Sequence, residues 1–199
     1  MKQNFSSFLH QNKGTIVGLA LAILSVMPLK SFSNGLNEAS AATKAATEGA
    51  IVSYCQNNTN PDSPLAWYEK ACIAIFNKQY DEAIKYFNIA LELDPNYAEA
   101  YCGLGFIYAE GKQDYEEAVK YYSKAIELDP NHALAYYGLG DVYKDGKKDY
   151  EKAIKYYKIA IESMVDYEHA YRKLGIVYAE LKDTKKAIEC LNEALRIRE

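Results

Sequence analysis

The sequence predicts an all-α solenoid in which four stacked helix–turn–helix units fill residues 64–199. Three observations carry this. Ala98–Asn131 (AEAYCGLGFIYAEGKQDYEEAVKYYSKAIELDPN) is nearly copied by Ala133–Tyr167, with a related copy before, Pro64–Tyr97, and another after, Glu168–Glu199. Columns of like residues recur at one pitch: Trp67, Tyr101, Tyr136 and Tyr171 stand 34, 35 and 35 apart, and Ala71, Gly105, Gly140 and Gly175 keep step with them. Inside a unit the apolar residues follow helical spacing, with Tyr101, Leu104, Gly105 and Tyr108 at i, i+3, i+4 and i+7. A period of this length marks an array of supersecondary units rather than one globular core.

Taken from the N-terminus, residues 1–33 read as an export segment. Lys2, His10 and Lys13 precede an uncharged, largely apolar run, Thr15–Met27, which Pro28 breaks; Ser31-Phe32-Ser33 places small residues before a cleavage point. That is the three-part pattern of a secretory signal. The run is short of the roughly 20 apolar residues a membrane-spanning helix needs. An uncleaved N-terminal anchor is the alternative. The expected location is therefore the bacterial periplasm or the extracellular space, with membrane attachment only if the segment is retained. No cysteine follows the apolar run closely, which disfavours lipid attachment of the bacterial lipoprotein kind. Asn57-Asn58-Thr59 is a glycosylation sequon of weak specificity.

Residues 34–63 read as a spacer. Ala39, Ala42, Ala46 and Ala50 keep helical spacing, so a short helix around Leu36–Cys55 that caps the first unit is the alternative to a plain tether. Asn57–Pro64, with two prolines, is a turn-rich stop.

The units occupy 64–97, 98–132, 133–167 and 168–199. The first helix of unit two runs from Ala100 to Glu110, Gly111-Lys112-Gln113-Asp114 is its turn, and Asp129-Pro130 ends the second helix, since the residue before proline leaves the α region. Ala83, Ala118, Ala153 and Ala187 form a small-residue column in the second helices, as do Ala90, Ala125, Ala160 and Ala194. Small residues let paired helix axes approach to about 8 Å. Large residues, Phe87, Tyr122, Tyr157 and Leu191, lie between those two columns. One such pair of helices cannot bury both faces, so the units must stack.

The motif Tyr101, Leu104-Gly105, Tyr108, Ala118, Tyr122, Ala125, Pro130 resembles the tetratricopeptide repeat (TPR) at every position, and the resemblance covers about two thirds of the chain. It implies a right-handed superhelix. Units two and three carry one extra turn residue, as Sel1-like repeats do. Val165 stands where unit three should have proline, predicting a longer helix or a shifted bend there. Lys70 and Ala74 depart from the leucine and tyrosine columns of unit one, as suits an end unit. No polar cap follows unit four, where Leu191, Leu195 and Ile197 suggest a contact surface and possible homo-oligomerisation.

The resemblance further implies a non-enzymatic interaction module that takes a protein or peptide partner, extended or helical, in the concave groove lined by the first helices. Helical spacing directs Tyr68, Cys72, Phe76, Glu99, Cys102, Phe106, Tyr137, Asp141, His169, Arg172 and Lys173 toward that groove or onto its margin, with Arg172 and Lys173 expected to meet an acidic group. Packing between neighbouring helices is the competing role for each ring. TPRs that clamp a carboxylate carry Lys, Arg and Asn at set groove positions. Across the first three units those positions hold Tyr68, Cys72, Gly103, Leu134 and Gly138, so the clamp is missing there; across the last three, His169 and Lys173 leave a remnant. Cys72 and Cys102 lie on adjacent first helices, a disulfide disfavoured by the distance between such backbones.

Composition narrows the function classes. With 23 basic and 27 acidic residues the net charge is −4; the first 33 residues hold three lysines and no acid, so removing them leaves −7. Such a chain is ill suited to wrapping nucleic acid or covering an anionic membrane. Nineteen tyrosines against six phenylalanines point to packing rings whose hydroxyls reach the core edge. The four cysteines show no metal-ligand spacing, and His10, His132 and His169 stand apart from any catalytic or metal constellation. Asp141–Asp149 lacks the ligand alternation of a calcium loop, and Gly103, Gly105, Gly138 and Gly140 belong to helices rather than to a phosphate loop. No cofactor, metal or catalytic site is expected.

Overall fold

The computed structural model describes residues 62–164 and 167–198. The export segment, the sequon and all but the last two residues of the spacer lie outside the described residues. The described residues form eight helices and no strand: α1 (Pro64–Phe76), α2 (Tyr80–Leu93), α3 (Ala98–Phe106), α4 (Tyr115–Leu128), α5 (Ala133–Asp141), α6 (Tyr150–Ser163), α7 (Glu168–Glu180) and α8 (Thr184–Arg198). Each odd-numbered helix packs on the even-numbered helix after it. The second helix of one unit then packs on the first helix of the next, α2 on α3, α4 on α5 and α6 on α7. α3 also touches α5 directly, which sets the first helices along one side of the stack.

Local chemistry sets the helix ends. Ser63 Oγ accepts from the Ala66 amide at 3.2 Å, with Pro64 in the first turn, where its missing N–H costs nothing. Asp114, Asp149 and Asp183 cap α4, α6 and α8 by accepting from the amides of Glu117, Lys152 and Lys186 at 3.1, 3.0 and 3.2 Å. After α2 and α4, Asp94 and Asp129 turn extended and accept from Asn96 and Asn131, each at 3.0 Å. α6 stops at the same register without a following proline: Met164 takes the same extended conformation. Proline thus reinforces this stop but does not create it.

The extra residue of units two and three takes a definite form. α3 and α5 each end in a π-helical turn, Ile107–Gly111 and Val142–Gly146. There Lys112 N–H reaches the Ile107 carbonyl at 3.0 Å and Lys147 N–H the Val142 carbonyl at 3.1 Å. The wider turn sets a glycine against the preceding unit. A Cβ on Gly111 would lie 2.9 Å from the Tyr80 ring, and one on Gly146 would lie 2.5 Å from the Tyr115 ring. Lys112 and Lys147 then pair with Asp81 and Glu116 of that same preceding unit. The insertion therefore acts as an inter-unit clasp.

The left-handed turn position in each unit is not glycine. Lys78, Gln113, Lys148 and Lys182 have φ of 60°, 56°, 54° and 63°, and no glycine among the described residues has positive φ. A side chain there costs on the order of 1 kcal/mol. Gln113→Gly and Lys148→Gly are expected to raise the thermal midpoint by a few degrees each, the relief being partly offset by the flexibility glycine adds to the unfolded chain. Thermal melts followed by circular dichroism check this.

Buried aromatic and small residues alternate along the stack. Phe87, Tyr122 and Tyr157 are buried between the first helix of their own unit and that of the next, and Leu134 borders all three core clusters. Tyrosines at the edge stack in pairs: Tyr108 on Tyr121 at 5.1 Å and Tyr143 on Tyr156 at 5.4 Å between centroids. Tyr157 shows why a hydroxyl is useful there, since it donates to Asp141 Oδ1 at 2.7 Å.

The last helix departs from this pattern. Ile84, Val119 and Ile154 are partly buried, but Ile188 in the same column is 54% exposed. Leu91, Ile126 and Ile161 are partly buried, while Leu195 is 58% exposed. Leu191, in place of the buried rings, is 37% exposed. Ile197, grouped with Leu191 and Leu195 from the sequence, is half-buried.

Candidate functional site

The residues expected in the groove divide into two groups. Tyr68, Cys72, Cys102 and Tyr137 are buried, which corrects their assignment as partner contacts. The Tyr68 ring lies 5.6 Å from Phe87 and 5.3 Å from Tyr97, and Tyr137 lies 5.8 Å from Tyr157 and 5.5 Å from Tyr167. These residues seal the gap between a first helix and the junction that follows the second. Burial raises the Tyr68 hydroxyl pKa well above its ordinary value, and the nearby Cys72 thiol adds to the shift. Burial likewise pushes the Cys102 thiol up, with Glu99 contributing. Cys102 remains a thiol, so no disulfide joins it to Cys72.

Phe76, Phe106, Glu99, Asp141, His169, Arg172 and Lys173 reach the surface. Asp141 is a hub. Its Oδ1 accepts from Tyr157 Oη and from Lys173 Nζ, both at 2.7 Å, joining α5, α6 and α7. The Lys173 ammonium also stands 5.8 Å from the Tyr137 ring centre. Arg172 Nη2 lies 2.9 Å from His169 Nδ1, and its Nε lies 4.0 Å from Glu168. Burial lowers the His169 pKa, while the Glu168 carboxylate opposes the shift. Arg172 and Lys173, expected to meet an acidic group on a partner, are thus already engaged within the fold.

At two of the clamp positions a ring of the preceding unit packs on a glycine. A Cβ on Gly103 would lie 2.3 Å from Cζ of Phe87, and one on Gly138 would lie 2.3 Å from Cζ of Tyr122. The large residue of one unit occupies the space from which the next unit would extend a clamp side chain. In unit four the same column holds Lys173, and that lysine turns to Asp141.

One set of surface residues escaped the sequence reading. Glu110, Asp145 and Glu180 continue the column of Phe76 at intervals of 34, 35 and 35, and all three carboxylates are exposed. They stand at or near the ends of the first helices. Desolvation raises the Glu110 pKa, and the Asp141 charge raises it further. Lys144 binds Asp145, and Glu180 shares a hydrogen bond with the Tyr150 hydroxyl. The signal was available as an ordinary repeat-pitch column.

Two repeat-family models match this sequence. One described as TPR repeat matches residues 77–110 and 112–146, and one described as tetratricopeptide repeat matches 132–199. The chain belongs to the tetratricopeptide repeat family. This TPR chain is also similar to solved structures. A crystal structure of MamA aligns with a TM-score of 0.61 at 24% identity, covering 78% of this chain and 92% of that one. The MamA RS-1 ArsTM double mutant aligns at 0.60 and 22%, covering 78% and 89%. The APC/C hetero-tetramer Cut9-Hcn1 aligns at 0.66 and 19%, covering 75% of this chain and 29% of that one. At these identities the likeness shows the fold alone. No curated protein sequence matches the chain. Family membership and fold make this TPR protein a protein–protein interaction scaffold. Among the described residues no group of His, Cys, Asp and Glu is placed to hold a metal ion, and no helix is long and apolar enough to cross a membrane.

Proposed function

We propose that this TPR scaffold works outside the cytoplasm and holds a segment of a partner protein along the exposed residues of its first helices. One observation carries the reading. The recurring residues are consumed by packing between helices, whereas Glu99 and Phe106 stand in columns whose residues differ from unit to unit, and both reach the surface. A surface that varies on a repeated frame suits recognition of an irregular partner. The export part rests on the charge and apolar pattern of residues 1–33.

Photo-crosslinking in cells tests both parts. A photoreactive residue at Phe106 is expected to give a discrete adduct, and one at Glu127, exposed on α4, is expected to give none. Equal labelling from both positions overturns groove capture. Mass spectrometry of the same purified protein is expected to find the N-terminus near residue 34. A chain that retains Met1 in a soluble cytosolic fraction overturns export.

Self-association through α8 is the second reading, favoured by the exposure of Ile188, Leu191 and Leu195 where the counterparts are covered. Ile188→Ser with Leu195→Ser should then convert an oligomer to a monomer in light scattering without lowering the melting midpoint. A wild-type chain already monomeric at high micromolar concentration rejects it.

A further inference from the structure

α1 has no described unit before it, yet it keeps the burial pattern of a covered helix. In α3, α5 and α7 the face turned to the preceding unit carries buried Ala100, Ala135 and Ala170. Gly103 and Gly138 on that face receive the rings of Phe87 and Tyr122. Their counterparts on α1, Ala66 and Glu69, are each 5% exposed. Glu69 is the one buried charged side chain among the described residues. Ile73, in the column of buried Ile107, Val142 and Val177, is half-buried. Within the array this face is covered by a second helix, and second helices share a packing motif: Ala83-Ile84 with Phe87, Ala118-Val119 with Tyr122, Ala153-Ile154 with Tyr157. The motif recurs once upstream of α1, as Ala50-Ile51 with Tyr54. Asn60-Pro61-Asp62 then stands 34 residues before Asp94-Pro95-Asn96, the stop of α2. From Tyr54 to the start of α1 is 10 positions, against 11 from Phe87 to α3, from Tyr122 to α5 and from Tyr157 to α7. The connection has the length to lay the motif against α1.

We infer that the segment around Ala50–Tyr54 docks on α1 as the second helix of a half-unit, with the Tyr54 hydroxyl donating to the Glu69 carboxylate. α6 on α7 is the precedent. There the facing column holds Lys173 instead of glycine, and the Tyr157 hydroxyl donates to the Asp141 carboxylate that also holds the lysine. Glu69 stands in that same column, and a hydroxyl donor suits a buried carboxylate. A second copy stacking its α8 on α1 would instead set the apolar Leu191 against Glu69, so the chain's own segment is the better fit. Cleavage near residue 33 leaves this cap in place. A covered α1 also excludes head-to-tail stacking, so self-association through α8 would close as a pair rather than grow as a filament. Groove capture does not depend on the cap.

Hydrogen exchange on the full chain, read by mass spectrometry, tests it. Amides of residues 51–55 are expected to exchange at least about a hundredfold more slowly than in an unstructured chain, at any protein concentration. Ile51→Ser with Tyr54→Ser should remove that protection and speed exchange over residues 66–73 of α1 by about tenfold. Ile188→Ser on α8 should change neither segment. Exchange of 51–55 at the unstructured rate overturns the inference and leaves a plain tether. Protection that disappears on dilution overturns it in favour of a second copy. A double variant whose α1 exchanges as in the wild type overturns it too, because the segment would then be helical without docking. Tyr54→Phe and Glu69→Met in a double-variant cycle read the contact itself by urea denaturation. Losses that fail to add support the hydroxyl–carboxylate bond, and additive losses rule it out.

Discussion

Gly138→Ala is expected to lower the folding free energy by about 1–3 kcal/mol, the range seen when one methyl group is forced into a filled core. The new Cβ would meet Tyr122 Cζ at 2.3 Å, and the ring has no room to retreat, because Gly105 holds its other side at 2.8 Å from an equivalent Cβ. Gly103→Ala should behave alike against Phe87, which is fully buried. Urea denaturation followed by circular dichroism measures the loss. Tyr122→Leu, which installs the residue type unit four carries at Leu191, should make Gly138→Ala nearly neutral in the double variant. A single substitution that costs nothing would show that the ring is not pinned.

Asp141→Ala is expected to cost about 2 kcal/mol, because it strands two donors at once: the hydroxyl of buried Tyr157 and the ammonium of Lys173. The figure stays below that for a fully buried pair, since the Asp141 and Lys173 side chains keep 18% and 24% of their exposure. Removing the lysine as well should recover much of the loss. Asp141→Phe with Lys173→Gly installs the residues that occupy the same two columns one unit earlier, Phe106 and Gly138, and should melt within a few degrees of the wild type. A double variant as unstable as Asp141→Ala would mean that the carboxylate serves the fold through something other than these two bonds.

The sequence made the scaffold legible because packing repeats. Tyr101, Gly105, Ala118 and Tyr122 recur at the array's pitch, and each meets the same kind of neighbour in every unit, so one unit describes the next. The groove was less legible for the same reason. Tyr68, Cys102 and Tyr137 share a column that helical spacing directs inward, but whether an inward side chain is surface or seal depends on the junction residues Tyr97 and Tyr167, which close over it. Arg172 and Lys173 looked available because their partners, His169, Glu168 and Asp141, come from helical neighbours and from the preceding unit. The glycines at two clamp positions, Gly103 and Gly138, were visible, but not the rings of Phe87 and Tyr122 that pack on them across a unit boundary. The extra turn residue was visible as a count, and only the backbone reveals it as a π-helical turn bearing a glycine and a lysine on the unit before.

The central claim is that the first helices form the recognition surface and the second helices only support it. Amide chemical-shift mapping of the full chain during titration with the partner segment that crosslinks at Phe106 tests this most directly. The account predicts shifts that saturate together on α3, α5 and α7, centred on Phe106, Glu110, Leu134, Asp145 and Glu180. Shifts centred instead on α8 or on the outer faces of α4 and α6 would contradict it.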